Sequence, residues 1–119
     1  MNPILICYDK CSTCQKARKW LDANGISYTA RPIKEQNPTL EELTAWQKQS
    51  CLPLKRFFNT SGRLYRQMEL TQRLPQMNDG EMLSLLASDG MLVKRPLLIS
   101  ENIVLVGFKE TEWQQALLG

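Results

Sequence analysis

Four consecutive residues, Cys11-Ser12-Thr13-Cys14, carry the strongest chemistry in this chain. Two thiols separated by two residues can be oxidised together to a disulfide and reduced again, provided a helix begins at the first of them. A helix N-terminus leaves about four amide N–H groups without intrahelical partners and carries a partial positive charge. A thiol placed there ionises more readily, because amides and dipole both favour the thiolate. On this reading Cys11 is the nucleophile. Cys14, roughly one turn deeper, is the resolving thiol that attacks a sulfur bonded to Cys11. Lys10 is adjacent and adds a cation, and Ser12 and Thr13 fall where a substrate would sit. Two other readings compete. A structural zinc site usually takes four ligands, and only Cys7, Cys51 and carboxylates remain, none at metal-pair spacing. A pair of buried structural thiols is the second, since free cysteine packs well in cores. Position between a strand and a helix favours the redox couple, and no metal is expected. Cys7 and Cys51 themselves read as core thiols.

The rest of the composition narrows the chemistry further. The chain holds 119 residues, 4 cysteines and no histidine. A Ser-His-Asp triad, a Cys-His dyad and an imidazole base are therefore excluded, and sulfur, carboxylates, amines and guanidinium groups remain. The formal net charge of +3 is too small to argue for nucleic-acid binding, yet does not repel an anionic substrate. The apolar runs, Pro3 to Cys7 and Pro96 to Ile99, are strand-length, far below the roughly 20 residues that cross a bilayer. Met1-Asn2-Pro3-Ile4 has no basic stretch leading an apolar core, so the expectation is a cytoplasmic protein without a secretory signal. Stable disulfides are rare in that compartment, so the four cysteines do not read as a two-bridge framework. A monomer is expected.

The elements that must position the two thiols follow from periodicity. Residues 3–8 are apolar and partly β-branched, a buried strand. Asp9 to Thr13 is a polar break, and Cys14 to Asn24 repeats at helical spacing with Ala17, Trp20 and Leu21 as its apolar stripe. Asn24-Gly25 stops it. Ile26 to Ile33 alternates as a second strand, parallel to the first across the helix. A helical stretch follows. One helix opens near Thr39, its N-cap, with Leu40, Leu43 and Trp46 on one face. Two more are expected at 63–69 and 78–87, the latter capped by Asp79. Lys94 to Ser100 and Ile103 to Gly107 then read as a hairpin turning at Glu101-Asn102, and Phe108 to Leu118 as a last helix. The fold class is α/β, with the order β-α-β, helices, β-β-α.

Arg95-Pro96, just before the third strand, is the second candidate element. A guanidinium beside the reactive sulfur would stabilise its thiolate and bind an oxyanion through two hydrogen bonds. Proline is the residue for which a cis bond is cheap. The plainer reading is a surface arginine and a trans proline opening an edge strand.

Three stretches together resemble the ArsC/Spx/YffB family, which is arsenate reductase-like. They are Cys11-Ser12-Thr13-Cys14-Gln15-Lys16-Ala17-Arg18-Lys19-Trp20-Leu21, Lys94-Arg95-Pro96-Leu97-Leu98-Ile99 and Val106-Gly107-Phe108-Lys109-Glu110. The resemblance spans essentially the whole chain. It implies a thioredoxin-like (glutaredoxin-like) fold with a mixed four-stranded sheet flanked by helices. One domain over 1–119 results, with its core at 1–36 and 91–119 and a helical insert at 37–90, between the second and third strands. Folds of this type place a cis proline opposite the active cysteine, so Pro96 would bring backbone groups to the substrate. Cys11 is the implied catalytic cysteine and Arg95 the implied anion-binding arginine. Arsenate reductases of the family that work with glutaredoxin use one cysteine and three arginines. Arg95 matches one of these positions; Asn59-Thr60 stands at the second and Lys109, a further substrate-binding candidate, at the third. The implied function is thiol–disulfide oxidoreduction on a disulfide or an oxyanion such as arsenate. No cofactor is held, and glutathione, glutaredoxin or thioredoxin serves as electron donor. The Spx branch, redox-sensing regulators that bind the RNA polymerase α subunit, supplies the alternative. Its members share a glycine at that contact surface, near which this chain has Pro53. The best match is the two-cysteine ArsC-like branch.

Overall fold

The computed structural model describes residues 2–119. Its elements in chain order are β1 (Ile4–Cys7), α1 (Ser12–Ala23), β2 (Thr29–Pro32), α2 (Leu40–Ser50), α3 (Arg63–Gln67), α4 (Leu70–Arg73), α5 (Asp79–Ser88), β3 (Leu97–Ile99), β4 (Val104–Val106) and α6 (Glu110–Leu117). Short 3-10 turns lie at Leu54–Phe57, Leu74–Gln76 and Gly90–Leu92. The chain divides into two compact units. One runs up to Pro32 and resumes over Arg95–Gly119; the other is Ile33–Lys94.

The first unit is built on a four-stranded sheet in the order β2-β1-β3-β4. β1 and β2 are parallel, with Ile4 opposite Thr29 and Cys7 opposite Pro32. β1 pairs antiparallel with β3, and β3 with β4. The sheet is therefore mixed, as the thioredoxin-like expectation requires. A parallel pair needs a crossover, and α1 supplies it. Cys14, Ala17 and Leu21, at helical spacing, are buried and pack with Leu5, Cys7, Leu98 and Trp113. α1 ends as expected at Asn24-Gly25. Gly25 takes φ +67, its N–H donates to Asp22 O, and the Ile26 N–H reaches back to Leu21 O. That last bond explains why β2 starts at Thr29 rather than Ile26. The hairpin turns at Glu101-Asn102, where Ser100 N–H donates to Ile103 O at 2.9 Å. At Gly107 the backbone takes φ +75; its N–H donates to Pro96 O at 2.8 Å and its carbonyl accepts the Trp113 indole N–H at 3.0 Å. A side chain there would be strained.

The second unit is helical. α2 opens with the expected cap: Thr39 Oγ1 accepts the Glu42 N–H, and the Glu42 carboxylate accepts the Thr39 N–H. Leu43 is buried, whereas Leu40, expected on the same face, is 46% exposed because it occupies the first position of the helix. α5 is capped by Asn78, not Asp79. Asn78 Oδ1 accepts the Glu81 N–H at 2.8 Å, and Asp79 falls in the first turn, where its charge suits the dipole. The helix expected at 63–69 ends two residues early, at Gln67, and Glu69 takes φ +54 before α4. No glycine or proline marks that end. β3 begins at Leu97 rather than Lys94, because the Lys94 N–H donates to Phe57 O at 2.7 Å inside this unit. Asn37 Nδ2 donates to Ala87 O, and Gly90 packs directly on the Ile33 carbonyl. A Cβ at Gly90 would run into that oxygen. Gly90→Ala is expected to lower stability by about 1–3 kcal/mol, the usual cost of overpacking, measured as a shift in the denaturant midpoint.

Candidate redox site on the first unit

β1 delivers its last residues to a tight turn. The Tyr8 carbonyl accepts the Cys11 N–H at 3.0 Å, and Gln15 Nε2 donates to Asp9 O at 3.0 Å, pinning that turn to the helix. Cys11 is the N-cap of α1, in extended conformation (φ −94, ψ 120). No acidic residue occupies the first turn, so nothing there competes with the sulfur for the positive end of the helix. Cys11 is half-buried, Cys14 is buried, and both are free thiols.

The two sulfurs are electrostatically opposite. At Cys11 burial acts first and pushes the thiol up. Hydrogen bonding from the Cys14 N–H, the Cys14 side chain, the Arg95 side chain and the Thr13 N–H outweighs it, and leaves Cys11 below the ordinary thiol value. No side-chain capping bond of ordinary geometry closes at Cys11, so these amides act by favouring the anion. Cys14 is pushed up to about 12, chiefly by burial, with the Cys11 charge adding to it against the opposing hydrogen bond from Tyr8 N–H. That bond, Tyr8 N–H to Cys14 Sγ, is 3.4 Å long. Burial likewise raises Cys7.

Arg95 completes the group. Its bond to Pro96 is cis. Its guanidinium carbon lies 5.2 Å from the centroid of the Tyr8 ring, within cation–π range. Its Nε and Nη1 atoms are buried and make no hydrogen bond among the described residues. Arg95 as a whole is half-buried, and a guanidinium with spare donors suits a planar or tetrahedral anion. The Arg95 side chain is one of the groups that hold the Cys11 thiol down.

The remaining candidates are placed differently. Thr13 contributes its N–H rather than its hydroxyl. Lys10, Ser12 and Lys109 are exposed, Lys109 as the N-cap of α6, and none bonds to Cys11 or Arg95 among the described residues. Pro96 is buried and its carbonyl accepts the Gly107 N–H, so that oxygen ties β3 to the end of β4. Cys7 is a core thiol. Cys51 is not: it ends α2 at φ +59 and lies exposed, its Sγ donating to Lys48 O at 3.7 Å. Among the described residues no group of three or more Cys, Asp or Glu is arranged to hold a metal ion, and no helix is long and apolar enough to cross a membrane. Sequence reasoning missed Tyr8, read only as the last strand residue. It also left Arg18 on the wet face of α1, where the structure shows it 3.6 Å from Asp9 and donating Nε–H to Tyr28 Oη at 3.3 Å.

The fold and the paired thiols define a thioredoxin-like protein with a dithiol site. Residues 7–116 match the model of the ArsC family, and the chain belongs to that family. It is 50% identical to the uncharacterised protein YusI of Bacillus subtilis over 91% of this chain and 92% of YusI. It is 26% identical to the regulatory protein MgsR of the same organism, over 88% of this chain and 82% of MgsR. Among solved structures, a Bacteroides fragilis protein provisionally assigned as ArsC family related superimposes with a TM-score of 0.94. The two are 53% identical, with 97% of each chain covered.

The geometry sets the pH dependence of labelling. A lowered Cys11 is expected to react with iodoacetamide with a midpoint below that of a free thiol, about 8.5. Arg95→Met removes a donor to the thiolate, so the midpoint is expected to rise, on the order of one pH unit. Mass spectrometry of the Cys11 peptide, which separates it from exposed Cys51, checks both.

Proposed function

We propose that this ArsC-family protein is a thiol–disulfide oxidoreductase with Cys11 as nucleophile and Cys14 as resolving thiol. The observation that supports this most is the opposite bias of the two sulfurs: Cys11 is held toward the thiolate and Cys14 toward the thiol. The Cys11 thiolate attacks one sulfur of a substrate disulfide, forming a mixed disulfide and releasing the other sulfur as a thiolate. The Cys11 anion is then gone, and with it one of the influences that raise Cys14. Cys14 loses its proton and attacks the Cys11 sulfur. The second substrate thiolate leaves, the Cys11–Cys14 disulfide closes, and two electrons have passed to the substrate. An oxyanion such as arsenate fits the same sequence. Cys11 displaces an oxygen, released as water, to form a sulfur–arsenic bond; attack by Cys14 then frees arsenic two electrons more reduced. Arg95 holds the anion, with Lys109 and the Lys10–Thr13 turn bordering the substrate. Glutathione, glutaredoxin or thioredoxin resets the disulfide, in a reducing compartment such as the cytoplasm.

Turnover with a glutathione mixed disulfide and with arsenate, each with glutathione/glutaredoxin and thioredoxin donors, tests this reading. Cys11→Ser is expected to lose activity by more than about 100-fold. Cys14→Ser is expected to stall with substrate attached to Cys11, visible by intact mass. Full activity in Cys11→Ser overturns the assignment.

The likeness to MgsR favours a second reading, a redox switch that acts by binding. Capture of the RNA polymerase α subunit by the protein in one redox state only would favour the switch. Capture in neither state, together with turnover, removes it.

A further inference from the structure

Tyr8 is in contact with Cys11, Cys14 and Arg95. Its carbonyl accepts the Cys11 N–H at 3.0 Å. Its N–H donates to Cys14 Sγ at 3.4 Å. Its ring carries the Arg95 guanidinium at 5.2 Å. The ring is half-buried and follows directly on Cys7, the last residue of β1, so the central strand fixes its backbone. Arg95 has few other restraints, since Nε and Nη1 lack hydrogen-bond partners among the described residues. A long side chain with idle donors needs something to hold its plane, and an aromatic face does so without consuming a donor.

We propose that Tyr8 is a positioning residue, whose ring aims the Arg95 guanidinium at Cys11 while its backbone spaces the two sulfurs. This rests on the reading of Cys11 as the nucleophile. The ring face is what acts on Arg95, and the phenol hydroxyl has no part in it. A Phe at position 8 therefore preserves the effect. A ring of unchanged shape but weakened face does not.

The test is the pH profile of Cys11 alkylation, followed by peptide mass, in a graded series. Tyr8→Phe is expected to keep the wild-type midpoint. Fluorinated phenylalanines incorporated at position 8 keep the shape and drain the face. They are expected to raise the midpoint stepwise, up to about half to one pH unit. Tyr8→Leu should show the full rise. In an Arg95→Met background, Tyr8→Leu should add nothing further, since the ring acts through the arginine. A series in which fluorination leaves the midpoint unmoved overturns the inference, as does an additive double variant. Where Tyr8→Leu does not fold, the fluorinated series decides alone. A wild-type midpoint at or above that of a free thiol overturns the reading of Cys11 itself, and the inference with it. A low wild-type midpoint with a flat series removes only the role of Tyr8.

Discussion

The amino end of α1 and the guanidinium of Arg95 both favour the thiolate form of Cys11, and the first unit brings the two to one sulfur. Burial of this half-buried sulfur opposes the anion, and the donors that converge on it outweigh that burial. The donors arrive from opposite ends of the sequence. The helix amides come from the residues just after Cys11, whereas Arg95 comes from the entry to β3. The sheet order β2-β1-β3-β4 brings them together, because β3 lies directly beside β1. The central strand pair thus fixes an electrostatic distance as much as it builds a core.

The same arrangement separates two chemically identical side chains. Cys11 and Cys14 differ by three positions, yet one is half-buried against the apolar cluster of Leu5, Cys7 and Trp113 and the other is buried inside it. Helical spacing produces this, since Cys14 shares its face with Ala17 and Leu21. The difference in ionisation follows from the burial of Cys14 and from the donors that converge on Cys11, with the Cys11 charge enlarging it.

Cys11, Cys14 and Arg95 are legible in the sequence because each announces itself by type and by its place against an element boundary. The parallel β1–β2 pair, the stop at Gly25 and the Glu101-Asn102 turn are legible for the same reason: local chemistry decides them. Tyr8 is not legible, because its role depends on a partner brought by tertiary folding. Cys51 misleads, since a cysteine in an apolar-spaced helix reads as core, whereas its left-handed conformation at the helix end turns it outward. The Asn78 and Asp79 cap is a choice between adjacent residues of similar capping power. Only the Glu81 partner three residues on separates them. The left-handed Glu69 has no local signal at all.

The aromatic packing behind α1 has a use in observation. Trp113 is fully buried, edge-on to Trp20 with ring centroids 6.2 Å apart, and stacked edgewise on Phe108 at 4.9 Å. Both of those indoles belong to the unit that carries the thiols, and Trp46, the third tryptophan of the chain, belongs to the other. Two indoles this close couple their excited states, so the first unit has a paired chromophore and the second a solitary one. The protein is spectroscopically labelled by its own sequence: far-ultraviolet circular dichroism carries the exciton signal of the dithiol unit, and replacement of Trp46 removes the contribution of the other unit's indole.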